Sequence, residues 1–533
     1  MKAYKRFISF AITLSMMISM AACGSSTDKK EGANSSTNGT KLEAGTLKML
    51  LVGEQPKGWD DVMKEFEART KDTLNTKIDA EFNILSDHKE KIKVKMAAGE
   101  DLDVGFDATF VNLKTFIADG AYSEIDSYYN NDKYPGLKKA FASNVVEGNK
   151  FMGHNYTVPF YQSWSGADGV YIRKDLREKY GFKQIQTLDD LKAFYDKILE
   201  NEKGMVPFAT DGSRGWFRTF EPLFLPPNSN LYSTSAGVQF YFQLDSTGKK
   251  VTNMATVGDS KDLTKDYPAP WNDLSYKYKM ANEWKKYLEK DSINQKDKVS
   301  LFASGKAASV EGDSTQYLSV LTKLKSGVPS ASMEFWPIQK EVRENKEGFI
   351  ATSYWGNNSV AFPKTSKNLE RSMQFFNWLF ADQKNHDLFE YGVEGKQWIA
   401  EGTDKFKYPE GLTTANNYIA SFAAYGLTWN PNYVRFSTEL PDDIVKLNKY
   451  FMNDKTYYKS NLAGFSFDQT PVKNEIAKIS PVWNDSLKLL SNGIVDKNVD
   501  EDITKMYAKE KEMGLETIRA ELKKQLEAFF AAK

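Results

Sequence analysis

From residue 46 onward, apolar and polar positions succeed one another in two alternating rhythms. Thr46-Leu47-Lys48-Met49-Leu50-Leu51-Val52 reads as a strand ended by Gly53, and Trp59, Val62, Met63 and Phe66 then fall at helical spacing. Lys77 to Phe82 alternates as a second strand, Asp87 to Ala98 is helical up to Gly99, and Leu102 to Phe106 is a third strand. Strand, helix, strand, helix, strand implies βαβ units around a parallel sheet. Ligands of such sheets sit beyond the carboxyl ends of the strands, which points to the loops Gly53–Trp59 and Phe106–Thr109. A second region opens with the strand Gly169–Arg173. A helix follows at Leu188, with Thr187 as its cap and Asp190 completing a capping box. Residues 225–275 are rich in Ser, Asn, Gly, Pro and Tyr and read as an insertion of hairpin or irregular structure. A long helix is expected over Leu369–Tyr391, and the charged tail Asp500–Phe530 is expected to be helical.

The N-terminus follows a different rule. Lys2, Lys5 and Arg6 precede an apolar run, Phe7–Ala22, which is short for a membrane span and ends in small residues. Residues 1–22 therefore read as a secretory signal. The sole cysteine, Cys23, follows Met20-Ala21-Ala22 in an arrangement that resembles a bacterial lipobox, with Met20 where leucine is usual. The thiol would carry a lipid and hold the protein at a membrane surface. Residues 24–45 contain one large apolar residue, Leu42, too little to order themselves, and as a flexible tether they would reach about 26 Å.

Composition removes several classes of function. The 533 residues carry 71 Lys and Arg against 71 Asp and Glu, without the basic footprint of a nucleic-acid partner. One cysteine and three scattered histidines, His88, His154 and His386, leave no disulfide framework and no zinc motif. No P-loop or nucleophile elbow is present, and no cofactor is implied. Asp101-Leu102-Asp103-Val104-Gly105-Phe106-Asp107 hints at a calcium loop, but its glycine is one position early and Asn112 stands at position twelve. Aromatic residues make up 14% of the chain. Trp284, Trp378 and Trp483 fall in helical contexts and read as core, whereas Trp59, Trp164, Trp216, Trp355, Trp398 and Trp429 stand near turns or element ends. Flat rings at loops, with carboxylates and amides beside them, suit a cleft for a small polar molecule.

Several segments resemble, in order, the extracellular solute-binding proteins of carbohydrate ABC importers (family 1, the large lipoprotein subgroup). They are the lipobox, the Leu50–Gly53 strand end, Phe302-Ala303-Ser304-Gly305-Lys306-Ala307-Ala308, Val360–Asn368 with its following helix, and Tyr391–Trp398. The resemblance implies an α/β fold of two hinge-linked lobes with a ligand cleft between them. The first lobe would hold 46–160 and 350–400, the second 161–349, and the mainly helical residues 401–533 would pack on both. The chain would cross near Phe160–Ala167 and Ile350–Asn357. The implied function is a lipid-anchored monomeric receptor, not an enzyme. It would bind an oligosaccharide and deliver it to ABC permease subunits at the outer face of the cell membrane. The candidate ligand residues are Trp59, Asp107, Tyr161, Trp164, Trp216, Asp313 and Trp355. The Tyr391–Trp398 motif reads as structural. Alternatives are a surface interaction protein or a lipid-anchored glycoside hydrolase.

Overall fold

The computed structural model describes residues 42–161, 167–210, 212, 215, 229–295, 297–414 and 416–533. The signal segment, Cys23 and the tether up to Lys41 lie outside them, as do Trp164 and Trp216. Leu42, placed in the tether by the sequence, is tied to the body. Its N–H donates to the Thr73 carbonyl (2.9 Å), and its side chain packs on the first core.

The first sheet has the strand order 76–83, 45–52, 104–108, 358–361, 157–159. Gly45–Val52 pairs in parallel with Thr76–Asn83 and with Val104–Ala108, as the βαβ pattern requires. Asn358–Ala361 then enters antiparallel between Val104–Ala108 and Thr157–Pro159. Helix Trp59–Thr70 lays Val62 and Phe66 on this sheet, and helix Leu369–Ala381 adds Met373, Phe375, Phe376 and Phe380. The expected long helix breaks at Asp382, whose backbone is extended. Its side chain accepts from Lys384 N–H and starts a new helix, Gln383–Glu390.

The second sheet is antiparallel, with Asp168–Arg173 between Met333–Pro337 and Ser309–Asp313. Helix Leu188–Asn201 covers it with Leu191, Phe194, Tyr195 and Ile198, and both halves of the Thr187/Asp190 capping box are formed. The chain passes between the two lobes after Tyr161, through 338–358 and again around 452–460. The last two segments pair as the parallel strands Ile350–Thr352 and Tyr457–Lys459.

The insertion folds into a three-stranded antiparallel sheet of Tyr232–Ala236, Val238–Leu244 and Val251–Ala255. Its partner is the end of the chain. Phe240, Phe242, Trp271 and Tyr278 share one core with Ile479, Trp483, Ile503, Leu522 and Phe530. Those last residues lie on helices Lys473–Ser491, Val499–Glu512 and Leu515–Ala531. The region after 401 is thus divided three ways. Tyr418, Leu427 and Tyr433 join the first core, Ile444, Leu447 and Phe451 join the second lobe, and residues 472–530 cover the insertion.

This third core carries a buried acid. Glu510 is fully buried, and neither carboxylate oxygen has a hydrogen-bond partner among the described residues. Burial, together with the Asp259 carboxylate, pushes Glu510 up to about 8 from its ordinary 4.5. Asp259 itself is held by Arg519 and Tyr507. A carboxyl raised in the folded state gives stability that is complete below about pH 4.5 and is lost as pH rises toward 8. Glu510→Gln should therefore raise the melting temperature at pH 8 well above wild type and change it little at pH 5. Equal shifts at both pH values in a thermal melt would count against this account.

Candidate functional site

The carboxyl ends of the first sheet and the crossing segments meet at one boundary. Strand Gly45–Val52 turns at Gly53, where φ is +113° and an added Cβ would lie 2.8 Å from the Ala423 nitrogen. Ser421 Oγ donates to the Glu54 carbonyl, fixing this loop against residues 421–427. After strand Val104–Ala108, Thr109 N–H donates to the Asn357 carbonyl (3.0 Å) and Thr109 Oγ1 to Asn357 Oδ1 (3.3 Å). Phe110, beside them, is 52% exposed. On the second lobe, Asp313 ends its strand in register with Asp168. Asp313 Oδ1 caps the following turn by accepting from Thr315 N–H (3.0 Å), and its carbonyl accepts from Tyr171 OH. Asp168 is exposed and Asp313 half-buried.

The seven predicted residues separate clearly. Trp355 is half-buried in the crossing segment just before strand Asn358–Ala361. Its indole forms no aromatic pair and no side-chain hydrogen bond among the described residues. Asp313 ends a strand of the second sheet, opposite Asp168. Tyr161 is 7% exposed, and its hydroxyl donates to Asp454 Oδ1 (2.9 Å), joining two of the crossing segments. Burial above all, and the Asp454 charge after it, hold the Tyr161 hydroxyl far above the ordinary tyrosine range.

Two candidates need correction. Trp59 is 5% exposed, edge-on to Phe82 (5.1 Å) and Phe389 (6.2 Å), so its ring serves the first core and offers no open face. Asp107 is fully buried within its strand. It accepts from Ala108 N–H (2.7 Å), Asn112 N–H (3.0 Å) and Tyr122 OH (2.7 Å). Burial raises its carboxyl, while those donors pull it back down. Trp164 and Trp216 lie outside the described residues.

The hinted calcium loop does not form. Asp101 pairs with Lys48 Nζ (2.9 Å), Asp103 accepts from Lys48 N–H, Ser366 Oγ and Asn368 Nδ2, and Asp107 lies inside a strand. Elsewhere Glu124, Asp126 and His154 come together, but Asp126 is already occupied by Asn155 and His154. The Tyr391–Trp398 motif is structural. Trp398 Nε1 donates to the Gly392 carbonyl (2.9 Å), and its ring meets Tyr391 at 5.5 Å. Sequence reasoning pointed to the loop Phe106–Thr109 but did not single out Phe110 or Asn357. Phe110 follows directly on that loop, the one signal that could have found it.

Two α/β lobes joined by paired crossing strands, with a half-buried indole in a crossing segment, are the architecture of a two-lobed solute-binding protein. Residues 52–386 match the family described as bacterial extracellular solute-binding protein, and the chain belongs to it. Members of this family bind solutes and are non-enzymatic components of transporters. Residues 461–531 match a domain described as of unknown function, which corresponds to the tail helices that cover the insertion. A carbohydrate ABC transporter substrate-binding protein of Streptococcus pneumoniae is 23% identical over 541 residues, covering all of both chains. The fold is similar to the crystal structure of the N-glycan transport solute binding protein NgtS from the same species. That match has a TM-score of 0.70 at 20% identity and covers 91% of this chain and 99% of the other. It is also similar to S. pneumoniae FusA in complex with kestose, with a TM-score of 0.55 at 16% identity, covering 92% and 100%. No helix among the described residues is long and apolar enough to cross a membrane.

The reassignment of Asp107 is open to test. Asp107→Ala would strand three donors in a buried site, at about 1–3 kcal/mol each. A fall of that order in unfolding free energy by urea titration is expected. An unchanged urea midpoint would return Asp107 to the ligand candidates.

Proposed function

We propose that this protein is an extracellular receptor, lipid-anchored through Cys23, that takes an oligosaccharide between its lobes and presents it to an ABC permease. The observation that carries the reading is Trp355. It is a half-buried indole without an aromatic partner among the described residues, in a segment that crosses between the lobes. Such a ring can lie against the C–H face of a sugar, leaving hydroxyls for amides and carboxylates around it. Asn357 and Thr109 on one lobe and Asp313 and Asp168 on the other are polar groups of the right kind. A solute touching both lobes would favour the closed arrangement, which the permease would then meet. The names of the similar proteins support a sugar as the solute. The signal-like segment before Cys23 supports the anchor, and we take the receptor to act as a monomer.

A thermal-melt panel on residues 24–533 with Man5GlcNAc, kestose and other neutral oligosaccharides tests the solute. A sugar at a thousand times its Kd should add about 4 kcal/mol, and it should be recovered intact. No shift with any sugar, alongside a clear shift with a peptide pool, would overturn the carbohydrate reading. The anchor has its own test. Cys23→Ala, expressed in a single-membrane bacterium, should move the protein from the membrane fraction into the medium, and retention on the membrane would refute lipidation at Cys23.

A further inference from the structure

Trp355 lies in a stretch of chain with little regular support. Strand Ile350–Thr352 ends before it, strand Asn358–Ala361 begins after it, and Tyr354 holds a left-handed φ of +58°. That conformation crowds any residue with a Cβ, so the surroundings must impose it.

The support comes from the end of helix Ser143–Gly148, two hundred residues earlier. Asn149 is 6% exposed, and its side-chain amide grips the peptide groups on both sides of Trp355. Nδ2 donates to the Tyr354 carbonyl (2.8 Å), and Oδ1 accepts from Gly356 N–H (2.7 Å). The second proton of Nδ2 goes to the Val145 carbonyl (2.8 Å), which ties the amide to its own helix. The helix comes this close because residue 148 is glycine. A Cβ there would lie 2.7 Å from Tyr354 Cβ and 2.8 Å from the Ser353 carbonyl oxygen. On the far side, Gly356 packs against Pro159, where an added Cβ would sit 2.9 Å from the proline Cβ.

We infer that Asn149 is a positioning residue for solute recognition, its amide holding both peptide groups that flank Trp355 and so fixing where the indole stands. The inference rests on the reading of Trp355 as the sugar platform. The amide copies a rung of a β-ladder, accepting one N–H and donating to one carbonyl. Alanine would leave the Gly356 N–H and the Tyr354 carbonyl without these partners and free the Tyr354–Trp355 pair to relax. Aspartate keeps the acceptor for Gly356 N–H but puts a second acceptor against the Tyr354 carbonyl.

The test joins a spectroscopic signature to a double-mutant cycle. In 5-fluorotryptophan-labelled protein, the Trp355 resonance is assigned as the one lost in Trp355→Phe. Asn149→Ala and Asn149→Asp should shift or broaden it while leaving the core tryptophans Trp271 and Trp483 in place. Affinity is then measured for Man5GlcNAc or kestose, whichever the wild type binds. Asn149→Ala should weaken binding at least tenfold when Trp355 is present and less than twofold in a Trp355→Ala background. An unmoved Trp355 resonance overturns the inference without reference to any sugar. Equal losses in both backgrounds overturn it too, because Asn149 would then act on the fold at large. If Trp355→Ala binds like wild type, the platform reading fails and the inference with it, and the fluorine spectrum still records separately whether Asn149 holds the indole.

Discussion

The strand Asn358–Ala361 reaches the first sheet from the second lobe and lies hydrogen-bonded between Val104–Ala108 and Thr157–Pro159. Its partners are some 200 and 250 residues earlier, and Ser359, Val360 and Ala361 are at most 1% exposed. A strand fixed in the sheet interior cannot slip by one residue without turning its apolar side chains out of the core. Its position therefore sets where the preceding segment, Ser353–Asn357, leaves the first lobe. The pairing of Ile350–Thr352 with Tyr457–Lys459 sets where the same segment leaves the second. Between these anchors only five residues remain, and Trp355 is the middle one. The geometry of the boundary follows from how the strand is held.

The polar groups near that strand answer mainly to the same constraint. Asp107 collects two backbone N–H groups and Tyr122 OH, and the Asp107 carbonyl accepts from Ser359 Oγ (3.2 Å). A buried carboxylate with three donors rigidifies the strand end next to the site while leaving nothing to offer a ligand. Thr109 and Asn357, a step further out, keep hydroxyl and amide groups at the surface. The line between buried and surface polarity thus falls between Asp107 and Thr109 on one strand end.

That line could not be read from the sequence. The strands around 45–52, 76–83 and 104–108 were legible because their periodicity is local and glycines close them. The Thr187/Asp190 box was legible because its two partners are three residues apart. The two-lobed fold was legible through the family resemblance, which carries order along the chain. Trp59 and Asp107 were misread for one reason: being near a strand end is a local property, but burial is not. Trp59 is covered by Phe389, some 330 residues away, and no pattern around residue 59 announces that contact. The break at Asp382 was hidden because the apolar stripe of Leu369–Phe380 continues into Leu388 and Phe389, and only the capping bond to Lys384 N–H marks the boundary. Asn149 left no trace at all, since its role depends on a chain segment two hundred residues distant.

The insertion shows the same limit on a larger scale and bears on how the lobes can move. Its sheet is incomplete alone: Phe240, Phe242 and Trp271 are covered only when the tail helices arrive. Helix Tyr276–Trp284 belongs to both bodies, giving Tyr278 to the third core and Ala281 and Trp284 to the second lobe. The contact is reinforced where Ser292 Oγ donates to Asn492 Oδ1 (3.0 Å) and Asn492 Nδ2 to the Gly212 carbonyl (3.3 Å). A shared helix with side chains buried on both faces cannot divide without exposing both cores. Any opening of the proposed receptor would therefore carry the third body along with the second lobe.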